Sequence, residues 1–363
     1  MKITMFIGSL TGGGAERVLC NLASFLSRNG HEVCIITNVE GAAAYELDER
    51  VDRYVLLYEK ERKNSLFNFL HCMKRLKKYI RDNATDHYVV FLPLTTVMLL
   101  ALRKKIKVQV IVSERGDPKK NTKLMKKLLS RWIHRADRVV FQTEEAKSWY
   151  EPYLKGAASV VIPNAINPAF IRPAYEGERE KVIVGAGRFN AQKNFPLLIR
   201  AFARVADKFP EHRLLIYGKG GQQAAYESLA AELGIGDRVE FPGYVPDMPE
   251  RLGRAGMFVL SSDYEGMPNA LMEAMASGLP CVSTDCGGGG ARFLIRDGEN
   301  GLLVPKGDEN ALAEAMERIL SDAVLAKSLG DNARNLQETL APERIYGEWE
   351  RFVKETVERK QDI

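Results

Sequence analysis

Short apolar runs alternate with segments of helical periodicity along most of the chain. The runs are continuous and rich in β-branched and aromatic residues, which is typical of strands buried on both faces of a parallel sheet. In the first half they predict strands at 3–7, 32–37, 88–92, 108–112, 138–142 and 159–162. In the second half they predict strands at 182–185, 213–217, 238–241, 257–260, 280–283 and 302–304.

The order of strand, glycine loop and long helix begins twice, which predicts two doubly wound α/β domains. A segment with two prolines and two asparagines at 162–168 marks the boundary between them. We therefore expect domains at 1–165 and 170–341, with a C-terminal helical segment at 342–363. The helical pattern runs from 342 to 357 and carries Tyr346, Trp349 and Phe352, so we expect it to cross back and pack on the first domain.

Charge is distributed unevenly between the two halves. Residues 1–175 hold 29 Lys and Arg against 17 Asp and Glu, a net of +12, whereas the remainder holds 23 against 30, a net of −7. Two segments, 60–81 and 119–138, carry eight cations each. In the second, Met125, Leu128, Leu129, Trp132 and Ala136 fall at helical spacing. This pattern leaves two interpretations open: a helix packed on its own domain, or peripheral contact with an anionic membrane leaflet.

Several classes of protein do not fit this chain. The longest apolar stretch, 88–102, is interrupted by Pro93 and is shorter than the roughly 20 residues that span a bilayer. The first strand leads straight into a glycine loop, so we expect no signal peptide and a cytoplasmic location. The five cysteines show no Cys-x-x-Cys spacing and no clustered histidine, so we expect buried thiols and no metal. No basic–aromatic module indicates nucleic-acid binding.

Two glutamates frame the most informative segment of the sequence. Glu265 follows the apolar run at 257–260, a Gly-x-Pro loop comes next, and Glu273 lies in the helical pattern after it. A helix N-terminus behind a strand presents free backbone N–H groups and a positive dipole end, which suit a phosphate. Carboxylates on either side can bind sugar hydroxyls, so the segment indicates a nucleotide-sugar site. The alternative is that both glutamates are solvated or capping residues.

Two glycine loops open the two halves. Gly12-Gly13-Gly14 precedes a helix, and Arg17 stands where a dinucleotide fingerprint requires its third glycine. A plain tight turn is the alternative for this loop. The second loop begins at Gly185 and carries Arg188 and Lys193 just before another helix. Two cations there can neutralise a diphosphate, arginine as a fork and lysine as a point charge, unless they are merely surface residues.

Together these motifs resemble the family-4 group of retaining glycosyltransferases, which have the GT-B fold. The resemblance rests on Gly13-Gly14-Ala15-Glu16, Gly187-Arg188 with Lys193-Asn194, Gly218-Lys219-Gly220, Pro163-Asn164, the Glu-x7-Glu unit from Glu265 to Glu273 with Gly278-Leu279-Pro280, and the segment 297–304. It runs from the first strand to about residue 320. It implies two Rossmann-like domains facing each other across a cleft, with the acceptor side in the first and the nucleotide sugar in the second.

The resemblance also implies roles for matching residues. Arg188 and Lys193 would bind the donor diphosphate, Glu265 would hold the transferred sugar, and Glu273 would bind the ribose. Of these four residues, the catalytic candidates are Arg188, Lys193 and Glu265. The reaction requires charge stabilisation and orientation, so we expect it to need no metal or cofactor. The remaining donor-binding candidates are Gly13, Gly14, Gly187, Tyr244, Val245, Gly266, Met267, Asn269, Ala270, Leu271 and Glu273.

One position departs from the family pattern. Many members carry a histidine after the fourth strand of the first domain that contacts the sugar near its C6 oxygen. Here the sequence reads Ser113-Glu114-Arg115, so Arg115 occupies that position and is a candidate contact to the acceptor or to the sugar C6. The glycine run Gly287–Gly290 fits either a flexible loop over the site or a tight turn.

The sequence thus predicts a retaining hexosyltransferase that moves a sugar from a nucleotide sugar, with UDP favoured over GDP, to a glycan or polyprenyl-diphosphate-linked acceptor in surface polysaccharide synthesis. We expect a cytoplasmic protein with peripheral contact at the inner face of the membrane. The alternatives are a sugar-nucleotide epimerase on the same fold and a dinucleotide-dependent oxidoreductase. The incomplete glycine fingerprints disfavour the oxidoreductase.

Overall fold

The computed structural model describes residues 1–355, which divide into two compact units. The first unit comprises Met1–Ala165 together with residues 343–355, and the second comprises Ile166–Pro342. The last part of the C-terminal segment, including the end of the helical pattern at 357, lies outside the described residues.

The first unit is built on one parallel sheet. Its strands are β1 (Lys2–Ile7), β2 (Glu32–Thr37), β3 (Asp52–Val55), β4 (His87–Phe91), β5 (Gln109–Ser113), β6 (Arg138–Phe141) and β7 (Ala158–Val161), in the order β3-β2-β1-β4-β5-β6-β7. The connecting helices are α1 (Gly14–Arg28), α2 (Ser65–Asp82), α3 (Pro93–Ala101), α4 (Lys123–Trp132) and α5 (Glu144–Leu154). Helices α2 to α5 share one buried cluster with the sheet, so they cover the same face.

The second unit repeats this plan. Its strands are β8 (Val182–Ala186), β9 (Arg213–Tyr217), β10 (Val239–Gly243), β11 (Met257–Leu260), β12 (Cys281–Asp285) and β13 (Leu302–Pro305), in the order β10-β9-β8-β11-β12-β13. Its helices are α6 (Phe195–Ala206), α7 (Gln223–Glu232), α8 (Met248–Arg254), α9 (Asn269–Ala276), α10 (Gly290–Leu294), α11 (Glu309–Ser321), α12 (Ala323–Ala333) and α13 (Leu336–Thr339). Both units are doubly wound parallel-sheet domains, which confirms the predicted fold class.

The last helix, α14 (Pro342–Lys354), places its aromatic face on the first unit. Trp349 is fully buried, and its ring stacks on Phe91 with centroids 6.0 Å apart. His31 Nε2 lies 2.9 Å from Glu350 Oε1, which ties the start of β2 to the helix. Burial of the aromatic face explains why an otherwise polar helix holds this position.

The predicted strands agree with the observed ones to within a few residues, with one omission. Strand β3 was not predicted, because its sequence, Asp-Arg-Tyr-Val, lacks a buried apolar run. It is an edge strand that pairs only with β2 among the described strands, and its residues are exposed or half-buried. Edge strands do not need two apolar faces, so the pattern that identifies central strands does not find them.

Within residues 1–355, none of the helices combines the length and the apolar character needed to cross a bilayer. The five cysteines are free thiols, and burial raises the pKa of each, to about 11 for Cys20 and about 12 for Cys286. Buried neutral thiols of this kind pack as small apolar residues and are chemically inert.

Candidate active site

The candidate site lies where the strand order of the second sheet reverses. The chain moves outward from β8 to β9 and β10, then returns to add β11 on the other side of β8. Loops leaving β8 and β11 therefore diverge at their carboxyl ends, and open parallel sheets bind ligands in the crevice formed there. Lys193 follows β8, and Glu265 follows β11.

These two candidate catalytic side chains are in direct contact. Lys193 Nζ lies 2.6 Å from Glu265 Oε1, and the side chains are 17% and 8% exposed. Such a shielded pair is screened less than a surface ion pair, so each charge is held in a defined place. The structure therefore brings together two residues that lie 72 positions apart in the sequence.

Two further side chains fix the Glu265 carboxylate, and the sequence analysis missed both. Ser262 is fully buried, and its hydroxyl donates to Glu265 Oε1 over 2.7 Å. Gln192 Nε2 donates to Glu265 Oε2 over 3.3 Å and to the Tyr264 carbonyl over 3.0 Å. In the sequence, the only indication of these roles is that Gln192 precedes Lys193 and that Ser262 lies three residues before Glu265. The carboxylate is thus oriented by donors from both loops.

The loops after β8 and β11 are also joined behind this pair. Asn194 adopts a left-handed conformation, with φ 43°, and its side-chain amide donates to Asp263 Oδ1 over 3.0 Å. Ser261 Oγ donates to the Lys193 carbonyl over 2.9 Å. Asparagine tolerates this backbone conformation better than most residues. These hydrogen bonds connect the loop that carries Lys193 to the loop that carries Glu265.

Close packing explains the glycines of the neighbouring loops. A Cβ atom on Gly187 would lie 2.8 Å from Lys193 Cε, and one on Gly218 would lie 1.8 Å from the Gly187 carbonyl oxygen. The Gly218 amide donates to the Gly243 carbonyl over 3.0 Å. The loops after β8, β9 and β10 therefore pack backbone against backbone, which side chains would prevent.

The glycine run Gly287–Gly290 supports the Glu265 loop from beneath. The Glu265 amide donates to the Gly287 carbonyl over 2.8 Å. A Cβ atom on Gly290 would lie 1.9 Å from the Gly266 carbonyl oxygen and 2.7 Å from Pro268 Cδ. The run is a tight turn that lets α10 approach this loop, and this settles the role that the sequence left open.

We expect Gly290→Ala to displace the Glu265 loop, because its new methyl group overlaps backbone rather than a flexible side chain. The free energy of unfolding, measured by urea titration, should fall by about 1–3 kcal/mol, the usual cost of overpacking. Gly253→Ala is the matched control, since a Cβ atom there meets nothing within 4 Å. Equal stability of the two variants would contradict the supporting role of Gly290.

Helix α9 begins directly after the Glu265 loop. Its N-cap is Pro268, and in the described structure no side chain caps its first turn. Asn269 and Ala270 are half-buried, whereas Leu271 is fully buried. First-turn N–H groups and the helix dipole favour an anion at this place. Glu273 lies one turn further along and is 9% exposed.

The other donor-site candidates of this unit differ in exposure. Gly266 is half-buried and Met267 is buried in the loop between Glu265 and α9. Arg188 is exposed at the end of β8, two residues after the strand. Tyr244 is 79% exposed and Val245 is half-buried just after β10. Their proposed contacts with a nucleotide stay predictions.

In the first unit, Gly13 and Gly14 open α1 beyond the carboxyl end of β1. The Gly13 amide donates to the Tyr45 hydroxyl over 3.1 Å, and Gly14 is exposed. Their predicted closure over a donor remains untested.

Arg115 lies beyond the carboxyl end of β5 and is only 8% exposed. Its guanidinium donates to the side chains of Ser113 and Asn164 and lies 5.6 Å from the centre of the Phe91 ring. Burial lowers the pKa of Arg115 to about 9. Neighbouring Glu114 accepts from the Tyr150 hydroxyl over 2.6 Å, and burial raises the pKa of that carboxyl. The proposed contact of Arg115 with a sugar or acceptor stays a prediction.

Two family models match consecutive parts of the chain. The model described as Glycosyltransferase Family 4 matches residues 12–170, and the model described as Glycosyl transferases group 1 matches residues 169–336. The second match contains Lys193, Glu265 and Glu273, and the first contains the glycine loop.

Three known proteins illustrate the similarity. One is an α-1,4-N-acetyl-D-galactosaminyltransferase of Campylobacter jejuni, whose name gives a GalNAc-containing saccharide linked through diphosphate to undecaprenol. It is 28% identical over 365 aligned residues, which cover 98% of this chain and 99% of that protein. An exopolysaccharide phosphotransferase of Streptomyces coelicolor is 38% identical over 229 residues, 62% of this chain but only 24% of that protein. The structure of Anabaena HepE with UDP and glucose has a TM-score of 0.83 at 18% identity, covering 97% of this chain and 99% of that one.

Proposed function

The chain belongs to the group 1 glycosyltransferases of family 4, and we propose that it is a retaining, metal-independent hexosyltransferase that uses a UDP-sugar. The proposed acceptor is a lipid-linked saccharide or another glycan precursor of a surface polysaccharide. The observation that carries this proposal is the shielded contact of Lys193 with Glu265 at the strand-order reversal of the second sheet.

The charge arrangement supports binding of a nucleoside diphosphate sugar. The cation Lys193 lies beside the loop that leads into the N-terminus of α9. The lysine ammonium and the helix N-terminus both attract a diphosphate. Glu265, 2.6 Å from that cation, is then next to the first sugar atom beyond the phosphate. Glu273, one turn along α9, would accept hydrogen bonds from the ribose hydroxyls. Exposed Arg188 would approach the diphosphate once the donor is bound.

The proposed reaction breaks the bond between the anomeric carbon and the UDP oxygen, and an acceptor hydroxyl forms the new bond on the same face. The electron pair leaves with UDP, and Arg188 and Lys193 stabilise the negative charge that develops there. The departing phosphate takes the proton of the acceptor hydroxyl. The protein therefore supplies orientation and electrostatics rather than a nucleophile.

The comparisons support the choice of donor and acceptor. Anabaena HepE, which shares this fold, was solved with UDP and glucose, which favours UDP. The Campylobacter relative, aligned over nearly its whole length, acts on an undecaprenol-diphosphate-linked saccharide. A lipid-linked acceptor would bring the chain to a membrane, and the basic first unit fits the peripheral contact with an anionic leaflet that we propose.

The proposal is tested by incubating the protein with a panel of α-linked UDP-sugars and a polyprenyl-diphosphate-linked saccharide, with excess EDTA in parallel. We expect UDP release that requires the acceptor, an α-linked product by NMR, and the same rate with EDTA. A β-linked product would contradict retention, and loss of activity with EDTA would contradict metal independence. Interconversion of UDP-sugars without UDP release would identify an epimerase instead.

A further inference from the structure

The start of α2 exposes a cluster of large apolar side chains. Its first two turns carry Leu66, Phe67, Phe69 and Leu70, which are 69, 36, 39 and 57% exposed. The buried residues of the helix, Cys72, Leu76 and Tyr79, all come later. The later turns of α2 thus anchor it to the sheet, while its beginning offers apolar surface to solvent. Adjacent exposed side chains of this size mark an interaction site.

Two more helices expose an apolar residue at the same edge of the first unit. Leu94 in the first turn of α3 is 47% exposed, and Leu124 in the first turn of α4 is 66% exposed. Helices α2, α3 and α4 cover one face of the sheet, and each begins beyond the carboxyl end of a parallel strand. Their N-termini therefore lie along one edge. We call these six residues, Leu66, Phe67, Phe69, Leu70, Leu94 and Leu124, the apolar rim.

Cations surround the apolar rim. Lys60, Arg62 and Lys63 are exposed just before α2, and Lys63 Nζ lies 4.7 Å from the centre of the Phe67 ring. Lys123 and Lys127 are exposed on α4. The segments 60–81 and 119–138 hold eight Lys and Arg each and a single carboxylate each.

Both of those carboxylates are already neutralised by arginines. Glu61 lies 2.7 Å from Arg75 Nη1, and Asp137 lies 2.7 Å from Arg103 Nη2. Arg62 also pairs with Glu59, 2.9 Å away. Among the described residues, Lys60, Lys63, Lys123 and Lys127 form no such ion pair, so their positive charge is available for an outside partner. Apolar side chains set among such cations are the pattern of a surface that lies in a membrane interface.

We propose that the apolar rim inserts into the interface of an anionic membrane leaflet while the flanking cations bind its headgroups. This rests on the proposed function, in which a lipid-linked acceptor draws the enzyme to a bilayer. A second copy of the chain fits less well, because self-association would bring two sets of like charges together. Anionic headgroups and acyl chains match both the cations and the apolar side chains.

The position of the apolar rim suits the acceptor. The Gly13-Gly14 loop lies beyond the carboxyl end of β1, at the same edge of this sheet as the N-termini of α2, α3 and α4. An acceptor anchored in the leaflet by its polyprenyl chain would therefore present its saccharide to the edge that carries this loop. Membrane contact is one of the two interpretations that the sequence leaves open for residues 119–138, and the proposal extends it to α2.

The test is co-sedimentation with vesicles of phosphatidylcholine alone and with added phosphatidylglycerol. We expect Phe67→Ser/Leu70→Ser to lower binding to anionic vesicles about tenfold or more, because the inserted apolar area is lost. Lys60→Gln/Lys63→Gln should weaken binding to anionic vesicles only. Val324→Ser is the matched control, because Val324 is 81% exposed but lies in the second unit, and it should bind as wild type.

Unchanged binding of Phe67→Ser/Leu70→Ser would overturn the proposal. The proposal would also be overturned if the wild type did not bind vesicles but formed a dimer that Phe67→Ser/Leu70→Ser dissociates. That result would assign the apolar rim to self-association. Thermal unfolding with UDP separates this test from the proposed function. A protein that responds to UDP but not to vesicles contradicts the apolar rim alone, whereas the reverse contradicts the donor site alone.

Discussion

Lys193→Ala is expected to lower turnover about 10²–10³-fold, the usual loss when one preorganised electrostatic contact to the developing charge is removed. The Lys193 ammonium is fixed by Glu265 Oε1 at 2.6 Å, so its charge is in place before the leaving group departs. Initial rates of UDP release at saturating donor and acceptor measure this effect. We expect Arg188→Ala to show a loss of similar size, although its side chain is exposed in the absence of donor.

The matched control is Lys208→Ala. Lys208 also pairs with a carboxylate, Glu317 at 2.7 Å, but it is 60% exposed and lies beyond the end of α6. Its removal should leave turnover within about twofold of wild type, because exposed ion pairs contribute little. Near wild-type turnover of both Lys193→Ala and Arg188→Ala would contradict the assignment of the diphosphate site.

Glu265→Gln is expected to lower turnover about 10²-fold or more with little change in UDP binding. The substitution keeps the shape but removes the negative charge next to the anomeric carbon, where positive charge develops as the bond to UDP breaks. It also leaves Lys193, only 17% exposed, without its carboxylate partner. Steady-state kinetics together with UDP titration separate the effect on turnover from an effect on binding.

Ser262→Ala is the graded companion to Glu265→Gln. It keeps the carboxylate charge but removes the hydroxyl that donates to Glu265 Oε1 over 2.7 Å. A hydrogen bond to a charged group contributes about 1.5–3 kcal/mol, so we expect a loss of about tenfold or more in turnover with KM for the donor unchanged. An unaltered turnover in Ser262→Ala would show that the carboxylate does not need this donor for its orientation.

Most of the fold was predictable because its strands are continuous buried runs. β11, Met257–Leu260, is buried at every residue, and such a run is readable without any tertiary information. β3 was missed because its stability comes from pairing with β2 rather than from its own composition. The apolar side chains exposed at the start of α2 were not predicted, because the segment 60–81 was distinguished only by its eight cations.

The site was predictable as a set of motifs but not as a geometry. The spacing of Glu265 and Glu273 around a glycine loop identifies the segment, because a strand, a tight loop and a helix follow one another locally. The contacts of Lys193, Gln192 and Gly290 with the Glu265 loop join segments far apart in the chain. Such contacts depend on strand order, which alternation of elements alone does not specify.

The most direct test of the donor site is thermal unfolding with UDP, GDP, ADP and NAD in turn, on wild type and Glu273→Ala. A ligand at 100 times its Kd adds about 2.7 kcal/mol to the free energy of unfolding, which raises the Tm measurably. The two proteins are first compared without ligand, because Glu273 is buried and its loss changes the baseline. We predict a rise selective for UDP in wild type that Glu273→Ala loses. If neither UDP nor GDP changed the Tm but NAD raised it, the result would contradict the glycosyltransferase site and indicate a dinucleotide-binding enzyme.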